Sequence, residues 1–216
     1  MSRLVNGILL FSLASAPGFG STILFKGAFA TDDQVALFNI TANTSETITI
    51  QTDSYAGGTV NSTIIPAGGF APTAFLFDNL GDVLTLTNGT CSQVGRDPTT
   101  GNCDDLDFQD TLGPGTLTLA LAVFDNTPVG LFVTGGLVQD GNSGFTCVEA
   151  GTSGSFCDVT TAFGTTRTGN YAIAITGADS VTTPEPASML LLLAWRRVDR
   201  AVAASQVSVH DRFDEG

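Results

Sequence analysis

The chain has 216 residues, of which 43% are apolar, and it carries 21 acidic against 8 basic side chains for a net charge of -13. That length suits one domain with processing segments, and that charge excludes a nucleic-acid partner, because a polyanion is held by clustered Lys and Arg that displace counterions. Between positions 21 and 180 the only cations are Lys26, Arg96 and Arg167 against 16 carboxylates, so all of the net charge resides there. A surface of this kind keeps an exported domain in solution.

In chain order, the first element is a targeting segment. Met1-Ser2-Arg3 supplies a basic start and Leu4 to Ala14 an apolar stretch of signal-peptide length. Small residues at Ala14-Ser15-Ala16 and at Gly18-Phe19-Gly20 offer two cleavage points, so 1–20 reads as a short signal helix. Ser21 to Phe29 supplies the first strand. Period-two alternation then marks Val35 to Ile40, Ile48 and Ile50 between polar neighbours, Thr73 to Phe77, and Val83 to Thr87. It returns in Leu117, Leu119, Leu121 and Val123, and in Tyr171, Ile173 and Ile175.

Turn clusters separate these runs at Ala56-Gly57-Gly58, Ala67-Gly68-Gly69, Gly113-Pro114-Gly115 and Asp140-Gly141-Asn142. No helical period of ten residues occurs outside the terminal segments. The expected fold class is therefore all-β: a two-sheet antiparallel β-sandwich over 21–178, with a short N-terminal signal helix and a short C-terminal apolar tail.

Four cysteines, Cys91, Cys103, Cys147 and Cys157, make an even number in a chain read as exported. Three pairings exist. The two short separations, each rich in Gly and polar turn residues, favour Cys91 with Cys103 and Cys147 with Cys157, at about 3 kcal/mol for each loop closed. Neither pair has the Cys-x-x-Cys spacing of a zinc site.

Catalytic machinery is not expected. The sole histidine is His210, in the C-terminal tail, so no Ser-His-Asp arrangement can form in the domain. Calcium is the one cofactor with candidate ligands, because Asp104, Asp105 and Asp107 crowd together after Cys103 and hard cations take oxygen ligands. The competing reading is a solvated acidic loop, and Asp32-Asp33 and Asp125-Asn126 are weaker candidates. Sugar platforms favour exposed Trp or Tyr, yet the one Trp, Trp195, lies in the tail, leaving Tyr55 in the domain.

Near the C-terminus, Thr182-Thr183 leads into Pro184-Glu185-Pro186, an apolar run from Ala187 to Trp195, and then Arg196-Arg197. This order resembles the PEP-CTERM sorting signal of bacterial exported proteins and places the signal at 179–197. The resemblance implies an exosortase-like membrane partner and transient membrane contact, although the apolar run is far shorter than the ~20 residues that span a bilayer. The segment 198–216 is polar and charged and is expected to be disordered.

The domain carries a second resemblance. Ser54-Tyr55-Ala56-Gly57-Gly58, Ile65-Pro66-Ala67-Gly68-Gly69-Phe70, Leu76-Phe77-Asp78, Asp97-Pro98 and Asp140-Gly141-Asn142 look like a domain found upstream of such signals. That family is similar in turn to the pre-peptidase C-terminal class of secreted jelly-roll domains. The resemblance spans roughly 23 to 176, with Leu86-Thr87-Asn88-Gly89 where the family has an acidic turn. It implies a noncatalytic matrix, envelope or adhesion component. The alternative is a carbohydrate-binding module for extracellular polysaccharide, suggested by fold analogy.

Overall fold

The computed structural model describes residues 20–78, 83–86, 89–131, 135–160 and 162–183. The expected signal segment, the Pro184-Glu185-Pro186 motif, Arg196-Arg197 and the final tail therefore lie outside the described residues. Eleven strands and one short helix occur among those described: β1 (Ile23–Ala28), β2 (Val35–Ala42), β3 (Glu46–Thr52), β4 (Gly58–Val60), β5 (Thr63–Ile65), β6 (Pro72–Phe77), β7 (Val83–Leu86), β8 (Asp107–Leu112), β9 (Gly115–Val123), α1 (Phe145–Glu149), β10 (Asn170–Thr176) and β11 (Ser180–Thr182).

They form a four-stranded sheet in the order β1-β10-β3-β8, a five-stranded sheet in the order β11-β2-β9-β6-β7, and the separate β4-β5 hairpin. Every pairing is antiparallel, as short strands punctuated by Gly and Asn require. Register follows the hydrophobic alternation, because a slip of one residue would turn each apolar side chain to the wrong face. Phe38 stands opposite Leu119 and Leu119 opposite Leu76, while Ile50 stands opposite both Ile175 and Phe108.

The two sheets share one core. Phe38, Ile40, Leu76, Leu119 and Leu121 of one sheet meet Ile48, Ile50, Ile173 and Ile175 of the other, together with Leu106. Fully burying an aliphatic side chain of this size contributes about 1.5–3 kcal/mol. At the end where β1 and β9 finish and β6 and β10 begin, Phe29, Phe70, Val123, Phe145 and Phe156 form a second cluster. Phe29 and Phe70 stack there with ring centroids 5.3 Å apart.

β6 is buried on both faces, since Phe75 and Phe77 turn away from the core and pack with Ala120 on the outside of the five-stranded sheet.

Two local devices shape the surface. The β4-β5 hairpin turns on Asn61 and Ser62, both with positive φ (47° and 64°), the pairing that a two-residue hairpin turn needs and that Asn tolerates. Its tip is tied to β1 by the Asn61 side-chain amide, which donates to the Thr22 carbonyl at 3.0 Å. Where the chain leaves β10 for the other sheet, Gly177 takes φ 92°, and any Cβ there would collide with the Thr47 carbonyl oxygen.

The strands foreseen from alternation are present. The β4-β5 hairpin, β8, α1 and β11 are additions. β11 pairs with Asn39, Ile40 and Thr41 of β2, so the sheet continues through Thr182, past the expected domain end at 178.

Candidate functional site

The most elaborate polar structure is a buried hub built on Tyr55, Arg167 and three aspartates, Asp97, Asp105 and Asp158. β3 ends at Thr52, and the next turn carries Tyr55 inward, where it is fully buried. The Arg167 guanidinium lies 3.9 Å from the centre of the Tyr55 ring. It donates to the Tyr55 carbonyl at 2.7 Å and the Gly69 carbonyl at 2.8 Å, and pairs with Asp97 Oδ2 at 3.2 Å. A guanidinium suits this place because its planar fork of donors serves several acceptors at once.

Each aspartate in the hub is committed to a structural task. The other oxygen of Asp97 accepts from the amides of Thr99 and Thr100 and from the Thr100 hydroxyl. Burial alone would raise the Asp97 carboxyl, but hydrogen bonds from Arg167 and Thr100 outweigh it and hold the group below its usual range. Asp158 Oδ2 accepts the Tyr55 hydroxyl at 2.6 Å, while Oδ1 accepts the Thr160 amide and hydroxyl. Burial, then the Asp158 hydrogen bond, pushes the Tyr55 phenol well above its ordinary value.

The three aspartates considered for calcium part company. Asp105 is wholly buried: Oδ1 accepts the Tyr55 amide and the Thr52 hydroxyl, and Oδ2 accepts the Ala56 amide at 2.8 Å. Burial raises its carboxyl, although these bonds oppose the shift. Asp104 shares the Thr160 hydroxyl with Asp158, its Oδ2 lying 2.8 Å from that oxygen, and Asp107 opens β8 opposite Gln51. Among the described residues no group of three or more His, Cys, Asp or Glu is arranged to hold a metal ion.

Asp32 is also committed, and Asp33 in part, since its Oδ1 is buried without a partner among the described residues. Asp32 accepts the Gly144 and Thr146 amides and the Thr146 hydroxyl at the start of α1, and Asp33 accepts the Gly141 amide. Asn126 accepts the Gln139 amide, which fixes the neighbouring loop.

Both disulfides join local partners. Cys91 bonds Cys103 across a separation of 12 residues and Cys147 bonds Cys157 across 10. The first loop contains Asp97 and the second ends beside Asp158, so the crosslinks brace the two loops that deliver carboxylates to Tyr55 and Arg167. The Cys147 half sits in α1 rather than in a hairpin. Two disulfides fit an oxidising compartment.

A notch of about 190 Å³ opens on the outer face of the four-stranded sheet, beneath the base of the β4-β5 hairpin. Lys26, Ser54, Ile65, Pro66, Asn170 and Ala172 are among the residues that line it. Ser54 is 3% exposed, and its hydroxyl finds no hydrogen-bond partner among the described residues. None of these residues was singled out as a ligand contact from sequence. Lys26 and Ala172 alternate with core residues and read only as the outward half of a strand.

Among the described residues no helix is long and apolar enough to cross a membrane. The chain matches no family model, no curated protein and no solved structure.

Proposed function

We propose that this is a noncatalytic exported β-sandwich of jelly-roll-like type, serving as a matrix, envelope or adhesion component. In this reading 1–20 directs export, and Pro184-Glu185-Pro186, the following apolar run and Arg196-Arg197 present the tail to an exosortase-like system. The observation that carries the proposal is the pair of disulfides bracing an acidic all-β domain, an economy suited to life outside the reducing cytosol. In the hub, the Asp97 and Asp105 carboxylates are bound to backbone amides, hydroxyls and Arg167.

Cell fractionation of the full chain, expressed in a bacterium with a PEP-CTERM sorting system, tests the reading. Recovery outside the cytoplasm, shortened at both ends by mass spectrometry, is the expected result. Unprocessed full-length protein confined to the cytoplasm would overturn it.

A further inference from the structure

We propose that β11 is a releasable strap, and that its detachment from β2 opens the Pro184-Glu185-Pro186 motif to processing. The role given to the strap rests on the sorting reading above, whereas its release is a property of the fold. β11 has three residues and lies at the edge of the five-stranded sheet. Ser180 and Thr182 are exposed, and Val181 is a partly buried side chain packed against the shared core. Two hydrogen bonds hold its approach: the Asp179 amide donates to the Thr41 carbonyl at 3.0 Å, and the Asn43 amide to Asp179 Oδ2 at 2.6 Å.

Letting go costs the domain little. Release returns backbone freedom to residues 179–182 against the loss of one partly buried valine and a three-residue ladder. The sheet keeps its shape without the strap, because β2 pairs with β9 along its whole length, from Val35 opposite Ala122 to Ala42 opposite Gly115. Ala178, buried in the core, marks where the anchored chain resumes. An edge segment with so few buried contacts opens on its own, ahead of global unfolding.

Position gives that opening a use. The motif begins two residues after Thr182, and Pro184 and Pro186 carry no N–H with which to extend the ladder. β11 runs antiparallel to β2 and stops opposite Asn39, so residues 35–38 of β2 reach on beside the exit path. With β11 seated, two extended residues keep the motif within ~7 Å of the sheet edge, where the domain obstructs a membrane-bound enzyme. Freed residues 179–182 add up to ~14 Å of reach. Enzymes that cut chains act on opened segments, at a rate that follows the open population.

Two measurements test the proposal. In the purified full chain, hydrogen exchange should replace the β11 amides at least tenfold faster than those of β9, at a rate that low denaturant leaves unchanged. Equal protection of β11 and β9 would overturn it. The second measurement locks the strap. Asn39 and Thr182 are register partners, so Asn39→Cys with Thr182→Cys joins them by a disulfide, confirmed by nonreducing peptide mapping. Asn39→Ser with Thr182→Ser is the unlocked control, and circular dichroism verifies that both variants fold.

In the bacterium of the fractionation test, the control should lose its C-terminal segment at the parent's rate and the locked chain at least tenfold more slowly. A locked chain processed as fast as the parent would overturn the proposal and leave the sorting reading intact. A parent never shortened at its C-terminus would overturn that part of the sorting reading, and the role given to β11 with it.

Discussion

Replacing Asp53 with Asn should stabilise the protein at neutral pH and leave it nearly unchanged in acid. Asp53 follows β3, is 7% exposed, and has its carboxyl raised from 3.8 to about 6, first by burial and then by the charges of Asp105 and Asp107. The folded state therefore binds this proton more tightly than the unfolded chain. Its stability contribution is complete below pH 3.8 and is lost as pH rises through about 6. A shift of roughly two units bounds the effect at ~3 kcal/mol. Residual contact with water screens the charge, so about 1–2 kcal/mol is the working value.

Asn keeps the shape and cannot ionise. In a domain of this size, 1–2 kcal/mol corresponds to a melting-temperature rise of about 2–8 °C. Thermal unfolding followed by circular dichroism, with parent and variant run in parallel from acid to neutral pH and both disulfides intact, reads the difference. It should be near zero around pH 4 and widen through pH 6. A variant no more stable than the parent at neutral pH, or a gap that fails to close in acid, would refute the reasoning.

Arg167→Met should lower stability by about 3–5 kcal/mol in denaturant titration, because Asp97 and the carbonyls of Tyr55 and Gly69 lose a buried donor. Adding Asp97→Asn should recover part of that loss, and strict additivity in the double variant would show that the two are uncoupled. Removing the Cys91–Cys103 link by Cys91→Ser with Cys103→Ser should cost about 3 kcal/mol, visible as a lower denaturant midpoint. Moving the parent from chelator to millimolar calcium should leave its melting temperature unchanged, since Asp105 spends both oxygens on amides and a hydroxyl. A clear rise would show that Asp104 and Asp107 regroup around the ion.

Strands with one buried face declared themselves through alternation. Ile48 and Ile50 on β3, and Leu119 and Leu121 on β9, could be placed because their neighbours are polar or small. β8 was harder to see: Asp107, Gln109 and Asp110 break its apolar run, and it forms because Ile50 and Gln51 offer an edge to pair with. The β4-β5 hairpin was hidden by its three-residue strands, and β11 by lying where a sorting tail was expected.

Local disulfides were legible from spacing. Asp104, Asp105 and Asp107 are close in sequence, but a bend at Asp105 and the start of β8 at Asp107 set neighbouring carboxylates on different partners. Arg167 carried no sequence signal at all. Its importance arises from long-range folding that brings it over Tyr55, 112 residues away.

The separation of scales between crosslinks and sheets has a consequence for the order of folding. The disulfides close loops of 12 and 10 residues, whereas β2 and β9 meet across about 75 residues and Thr22 reaches Thr176 across 154. Strand pairing at that distance is slow, since most of the loop entropy is lost before any contact is gained. In an oxidising compartment the loops can be sealed while the sheets are still assembling. The early crosslinks then hold Asp97 inside one short ring and Asp158 beside the other, ready for Tyr55 and Arg167 to arrive, and a chain kept reduced should assemble its sandwich more slowly than one whose disulfides form early.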